Sequence, residues 1–351
     1  MRRRDLPAFF FVLLAGRAAR SSRLEKAARY LWGRQGAEGG WHSTTYGLLK
    51  SGQSLTPFVL EALCRLPDRV YVPPRDSARR AVAFIERHTD AEGAMGRMDR
   101  LLEDYPNYAT SLAALALSRA PAALQRPSLL EKLAGCLRRQ QFSEEQGWKP
   151  NDPAYGAWGM GGERRTPPHP GHVDLSMTRH ALQALAAAGA SAGDPLFRRA
   201  RVFVERCQNP DGGFYFSTVV LDANKAGRDG ERFQSYGTAT ADGILSLLAM
   251  GSSPQDSRVQ AAAGWLTRHH RAGEAPGFRG EAYRRWSQGL RFYYAAASAD
   301  AFRALRIDKI QEGASDLEHS QRPDGSWANA ESLVKEDDPL IATAFALRAL
   351  T

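Results

Sequence analysis

Six hydroxyl residues recur with one apolar companion. Thr56, Thr110, Thr178, Thr240, Ser298 and Thr343 are each followed seven positions later by a leucine: Leu63, Leu117, Leu185, Leu247, Leu305 and Leu350. The residue before each leucine is small: Ala62, Ala116, Ala184, Ser246, Ala304 and Ala349. A seven-residue step is two turns of α-helix, so hydroxyl and leucine share a face. Alanine-rich surroundings such as "HALQALAAAG" and "AFALRAL" favour helix and let neighbouring helices approach closely. One helix type repeated at a period of about fifty residues marks a repeat architecture.

A second, more charged helix precedes each of these. "SRLEKAARYLWGRQ", "SARRAVAFIERH", "LLEKLAGCLRRQ", "LFRRARVFVERCQ", "SRVQAAAGWLTRHH" and "KIQEGASDLEHSQ" space their apolar residues three or four apart, with charges between. Helices apolar nearly all round belong inside, and amphipathic ones outside. The expectation is an all-α fold, an (α/α)6 barrel or toroid of six helix pairs, over residues 22–351. Three turns punctuate the pairs: "QGAEGGW" (Gln35–Trp41), "QNPDGGF" (Gln208–Phe214) and "QRPDGSW" (Gln321–Trp327). The glutamine is expected to finish the outer helix at its partnerless last carbonyls, glycine to make the turn, and the aromatic to fold back onto the wall.

The net charge of +9 is scattered as arginine rather than gathered in a block. That argues against a nucleic-acid groove and leaves contact with an anionic membrane surface open. Cys64, Cys136 and Cys207 lie far apart without a CxxC pair, and so form no disulfide framework or cysteine-rich zinc site. "MRRRDLPAFFFVLLAG" has a basic start, a short apolar run and small residues beyond. This is the layout of an export signal over residues 1–21, which implies a periplasmic or secreted protein. No later stretch reads as a transmembrane span.

Turns of the "DGSW" type over a helix-pair barrel resemble the prenyltransferase/squalene oxidase repeat family, which includes squalene–hopene cyclases and protein prenyltransferase β-subunits. The resemblance covers roughly residues 22–351. It implies a central apolar cavity suited to isoprenoid chains. Class II cyclases of that family carry D-x-D-D-T-A, whose middle Asp protonates an alkene or epoxide. Aligned on the threonine, the match is "DLSMTR" (Asp174–Arg179), with Asp174 kept, Ser176 in the donor's place and Met177 in that of the next Asp. A serine hydroxyl is too weak an acid for that step. The D-x-C zinc pair of the prenyltransferases and a GCGEQ-like thioester run are both absent.

Two long connections, 147–174 and 209–237, lead into inner helices, and loops of this length are often functional. "HPGHVD" supplies His169, His172 and Asp174, a possible divalent-metal set; no other cofactor is expected. Asp174 is equally placed to cap a helix. His172 and Asp174 are the candidate catalytic pair. Tyr155, Trp158, Tyr236, Trp286, Tyr293 and Tyr294 are candidate substrate contacts, the last three read onto one face of the fifth inner helix. Packing into the barrel explains the same aromatics equally well. Arg164, Arg165, Arg228 and Arg232 are candidates for an anion site at the mouth, and Asp104, Asp222, Asp242, Asp337 and Asp338 for helix caps or acids. Three functions remain open: a protein that binds or processes an isoprenoid or other apolar lipid without the usual acid, a non-catalytic scaffold for protein or polysaccharide, and a polysaccharide-degrading enzyme with paired carboxylates.

Overall fold

The computed structural model describes residues 20–97 and 104–351, so most of the export-type segment lies outside the described residues. Outer helices α1 (20–32), α3 (Arg75–Arg87), α5 (Pro127–Gln140), α7 (Pro195–Arg206), α9 (Ser257–His269) and α12 (Ile310–Ser320) alternate with inner ones. The inner helices are α2 (Leu55–Cys64), α4 (Pro106–Arg119), α6 (Leu175–Ala187), α8 (Gly237–Ala249), α11 (Arg291–Leu305) and α13 (Pro339–Leu350). Each inner helix packs on the next, and α13 closes on α2. The fold is therefore the α/α barrel expected from the hydroxyl–leucine repeat. Every residue of α13 after its first proline is buried, whereas α3 buries only the stripe Ala78, Ala81, Val82, Phe84 and Ile85. Arg20, the first described residue of α1, places its guanidinium 2.5 Å from Glu318 of α12, so Arg20 and Ser21, at the end of the segment read as a signal, are part of this outer helix.

The repeated hydroxyl has a defined task. Thr56, Thr110, Thr178, Thr240 and Thr343 accept the backbone N–H of Trp41, Met95, Trp158, Phe214 and Trp327 at 2.9–3.3 Å, which ties each turn to the following inner helix. The tryptophans then cap the outer helices, because indole N–H groups of Trp41, Trp158 and Trp327 donate to the carbonyls of Leu31, Leu137 and Leu317. The glutamine acts elsewhere than expected. Gln35, Gln141, Gln208 and Gln321 donate to the carbonyls of Ser77, Leu196, Arg258 and Arg23, each near the start of the next outer helix. Gln141 and Gln321 do stand at the C-caps of α5 and α12, but the side chains of all four fasten one pair to the following pair rather than bonding the last carbonyls of their own helix. Gly325 shows why glycine is required: at φ +92° its missing Cβ would stand 2.6 Å from the Lys26 carbonyl oxygen of α1. That contact, with Gln321, joins the last pair to the first.

The fifth pair departs from this scheme. Ala275 replaces the aromatic, its N–H donates to the Ser287 carbonyl, and a short helix α10 (Glu281–Gly289) is inserted before α11. Ser298 makes only a long local bond to the Ala295 carbonyl and is no equivalent of the five threonines. No helix in the described residues is long and apolar enough to cross a membrane.

Candidate functional site

The first turns of all six inner helices surround a cavity of about 470 Å³. Its wall is largely aromatic and aliphatic, with Phe58, Tyr105, Tyr108, Tyr236, Tyr293 and Phe345 from five inner-helix starts. Three long connections add Met160 and His172, then Phe216 and Lys225, then Leu333 to Glu336. A larger groove of about 910 Å³ runs beside α9 and α10 past Trp265, Arg268 and His269. The buried carboxyls Asp174, Asp242 and Glu336 line the central cavity, and no buried titratable group lines that groove among the described residues.

Asp242 is the central feature. It is the sixth residue of α8 and caps nothing; its side chain is 2% exposed and lines the cavity. The Tyr293 hydroxyl from α11 donates to it, at 2.7 Å from Oδ2 and 2.9 Å from Oδ1. Nε of the buried Arg179, from α6, lies 3.0 Å from Oδ1 without the alignment of a hydrogen bond. Arg179 also spreads its donors over Gln183, the Tyr293 oxygen and His180 Nε2. An arginine can only donate, so His180 accepts at Nε2 and places its proton on Nδ1, facing the Ser176 carbonyl at 2.8 Å. Burial and the adjacent Arg179 charge keep His180 neutral, far below the usual imidazole range.

The balance at Asp242 favours the proton. Burial raises its carboxyl to about 6, and the Asp174 charge adds to the rise, while Arg179 and the Tyr293 hydrogen bond pull it down without winning. The Ser176 hydroxyl lies 2.7 Å from the Tyr293 oxygen. Tyr293 gives its own proton to Asp242, so Ser176 is the donor there. A chain of hydroxyls thus runs from Ser176, on the cavity wall, through Tyr293 to the carboxyl.

Asp174 both caps α6 and faces the cavity. Oδ1 accepts the Met177 N–H at 2.7 Å, and Oδ2 pairs with His172 Nε2 at 2.9 Å. His169 is exposed and joins neither. Among the described residues no three His, Cys, Asp or Glu side chains are placed to hold a metal ion, so the structure does not assemble the set His169, His172 and Asp174. Glu336 is buried and held to about 7 by desolvation, against donation from the N–H groups of Phe292 and Tyr293 and from Asn329. Its oxygens are engaged at the start of α11.

Of the predicted aromatics, Tyr236 and Tyr293 line the cavity and four do not. Trp158 is wholly buried as the anchor of the third turn. Tyr155, beside it, donates to Glu144 at 2.5 Å. The inserted residues 142–155 separate Gln141 from Gly156, which disguises this turn as part of a long functional connection. Trp286 sits on α10, apart from the inner helix it was read into, and Tyr294 turns outward, its hydroxyl 2.7 Å from His270 Nδ1. None of Arg164, Arg165, Arg228 and Arg232 reaches the cavity, and among the described residues the lysines and arginines that do are Lys225 and Lys335. Asp338 caps α13 and accepts from Ser43, Asp104 accepts from Ser51 and Ser54, and Asp337 accepts from Tyr46. Asp222, in the connection to α8, is exposed.

Below the cavity the barrel is plugged by ions. Arg65 grips Asp300 at 2.7 and 3.2 Å, Arg348 approaches Asp300 at 3.2 Å, and Glu61 receives Arg65, Arg119 and Arg348. Glu61, Arg179, Asp242, Asp300 and Arg348 share a sequence signal that no motif carries. Each is a charge inside a helix that is otherwise apolar, which obliges it to find a partner in the barrel.

No family model matches the chain, and no curated protein does. Solved structures do. The type II terpene cyclase MstE from Scytonema matches with a TM-score of 0.58 at 12% identity, over 95% of this chain and 98% of that one. A variant of that cyclase was solved with geranylgeranyl dihydroxybenzoate as substrate; it matches at 0.55 and 14%, over 95% and 96%. Unsaturated glucuronyl hydrolase from Bacillus sp. GL1, responsible for glycosaminoglycan degradation, matches at 0.56 and 16%, over 95% of each chain. At these identities the likeness establishes a fold shared by terpene cyclases and a polysaccharide-degrading enzyme.

Proposed function

We propose that this protein binds an isoprenoid or similar apolar chain in the central cavity and acts on it through Asp242 as acid. The observation that carries the reading is the buried Asp242 carboxyl, raised to about 6, on the wall of a largely apolar cavity, where the neighbouring Asp174 and Glu336 are each held by backbone N–H donors. The family's donor position is Ser176 here, and Ser176 joins Asp242 through one tyrosine, so the acid missing from α6 is supplied by α8. In the step envisaged, the Asp242 O–H bond breaks and its proton forms a C–H bond on an alkene carbon. The cation left on the neighbouring carbon is stabilised by surrounding rings. It is discharged by releasing a proton, directly or from a captured water, to the Ser176 hydroxyl, while Ser176 passes its own proton to Tyr293 and Tyr293 passes its own to the Asp242 carboxylate.

Two features weigh against the polysaccharide reading. The wall is predominantly apolar, and the second carboxylate with a raised pKa, Glu336, is already bound by three donors. Such enzymes need a free pair. The test is to incubate wild type and Asp242→Asn with squalene, geranylgeraniol and a geranylgeranylated aromatic acid at pH 5 and pH 8, with products read by mass spectrometry. A cyclised or hydrated product, more abundant at pH 5 and reduced roughly 10²–10⁴-fold in the variant, is expected of a general acid. Equal product from both proteins, or none from any substrate, would remove Asp242 from this role.

A further inference from the structure

Two ammonium groups from separate connections stand on the wall of the cavity. Lys225, between α7 and α8, holds Nζ 3.6 Å from the Phe216 ring centroid and 5.7 Å from that of Trp286. Lys335, between α12 and α13, lies 5.6 Å from the Tyr46 ring and 5.9 Å from Tyr105. Both are half-buried and both line the cavity. Among the described residues neither has a carboxylate within 4.0 Å, in a protein whose arginines are extensively paired. The nearest acceptor to Lys225 is the Ala223 carbonyl, at a weak 3.4 Å.

A half-desolvated ammonium resting on rings is poorly compensated. A cation–π contact returns less than removing a charge from water costs. Lys335 adds a second cost, since it adopts the left-handed region at φ +66°, which is unfavourable for a non-glycine residue. Asp174 and Asp242 are close enough to oppose the effect of burial on Lys225 but are committed to His172, Tyr293 and Arg179. What remains is a cavity with an apolar interior and two unpaired positive charges.

We propose that the ligand is an amphiphile with an anionic head, a carboxylate or a phosphate monoester, held by Lys225 and Lys335 while its apolar chain lies against the aromatic wall toward Asp242. This rests on the reading that the cavity takes an apolar chain, and it adds the head group. The pairing would replace weak ring contacts with charge-assisted hydrogen bonds, about twice as strong as neutral ones. It would also fix which end of the chain meets the acid.

The experiment measures binding of farnesoic acid, farnesyl monophosphate and farnesol to the full chain by isothermal titration at pH 7.5. The proteins are wild type, Lys225→Met, Lys335→Met and the double variant, with thermal melts confirming that each is folded. Wild type is expected to bind at least one anionic probe ten-fold or more tighter than the alcohol. The double variant should lose that advantage and keep its affinity for farnesol, and whichever anion is preferred identifies the head. Equal affinity for acid, phosphate and alcohol in wild type, or an advantage that survives the double variant, overturns the head-group site while leaving the apolar cavity standing. Failure of all three probes to bind overturns both.

Discussion

Asp242 on α8 and Asp300 on α11 are carboxylates inside the same ring of helices, one at the cavity and one at the floor. Asp300 is gripped by two oxygens' worth of Arg65 and by Arg348, and despite its burial these cations hold it well below the usual carboxylate range. Asp242 has one arginine, misaligned and shared with three other acceptors, and desolvation wins. Burial alone therefore does not set the role of an acid. The number and aim of its cations do. A doubly paired carboxylate is a structural ion, whereas an under-paired one beside open volume keeps a proton to give.

The largest expected effect falls on the floor. Asp300→Asn leaves Arg65, Arg119 and Arg348 to share the single charge of Glu61, and removing one partner from such a buried network costs about 3–5 kcal/mol. Chemical denaturation at pH 7 checks it, and a loss under 1 kcal/mol would break the contrast from the structural side. Asp242→Asn should behave oppositely. Its folded pKa of about 6 exceeds the unfolded value near 4, so its contribution is fully present below pH 4 and is lost as pH rises through 6. That loss is about 3 kcal/mol for a two-unit shift. Asparagine resembles the protonated acid, so the variant should match wild type within about 1 kcal/mol at pH 4 and exceed it by about 2 kcal/mol at pH 8. Asp300, with its pKa depressed, contributes stability above pH 4 that disappears as pH falls. Denaturation series from pH 2 to 8 on the three proteins should therefore show Asp242→Asn gaining on wild type as pH rises from 4 through 6, and the deficit of Asp300→Asn shrinking as pH falls below 4. An Asp242→Asn protein that is less stable than wild type at pH 8 would sink the idea that this carboxyl is held against its preference.

The barrel was legible because it rests on spacing. A hydroxyl and a leucine seven apart specify a face, and a face repeated around the chain specifies a ring. Trp158 was hidden because an insertion broke the spacing between Gln141 and Gly156 while leaving the packing untouched. Trp286 was misplaced because Gly289 and Leu290 interrupt what reads as one continuous helix. The site was less legible for a different reason. Asp242 lies near a helix start, where capping is the ordinary explanation, and only the approach of Arg179 and Tyr293 from two other helices distinguishes it. Lys225 and Lys335 are ordinary loop lysines in sequence, and their lack of acid partners exists only in three dimensions.

The smallest predicted effect sharpens the comparison most directly. Tyr293→Phe removes the hydrogen bond that helps hold Asp242 down and leaves Arg179 and the burial in place. The loss of one such bond costs about 1 kcal/mol of stability. Its diagnostic consequence is the direction of the titration. Without that donor the carboxyl pKa must rise, so the pH at which stability falls should move above its wild-type position near 6. An equivalent substitution cannot be made at Asp300, which is tuned by fixed arginine charges rather than by a neutral hydroxyl. If the midpoint stays unmoved in Tyr293→Phe, the hydroxyl chain from Ser176 does not reach the acid, and reprotonation must follow another path.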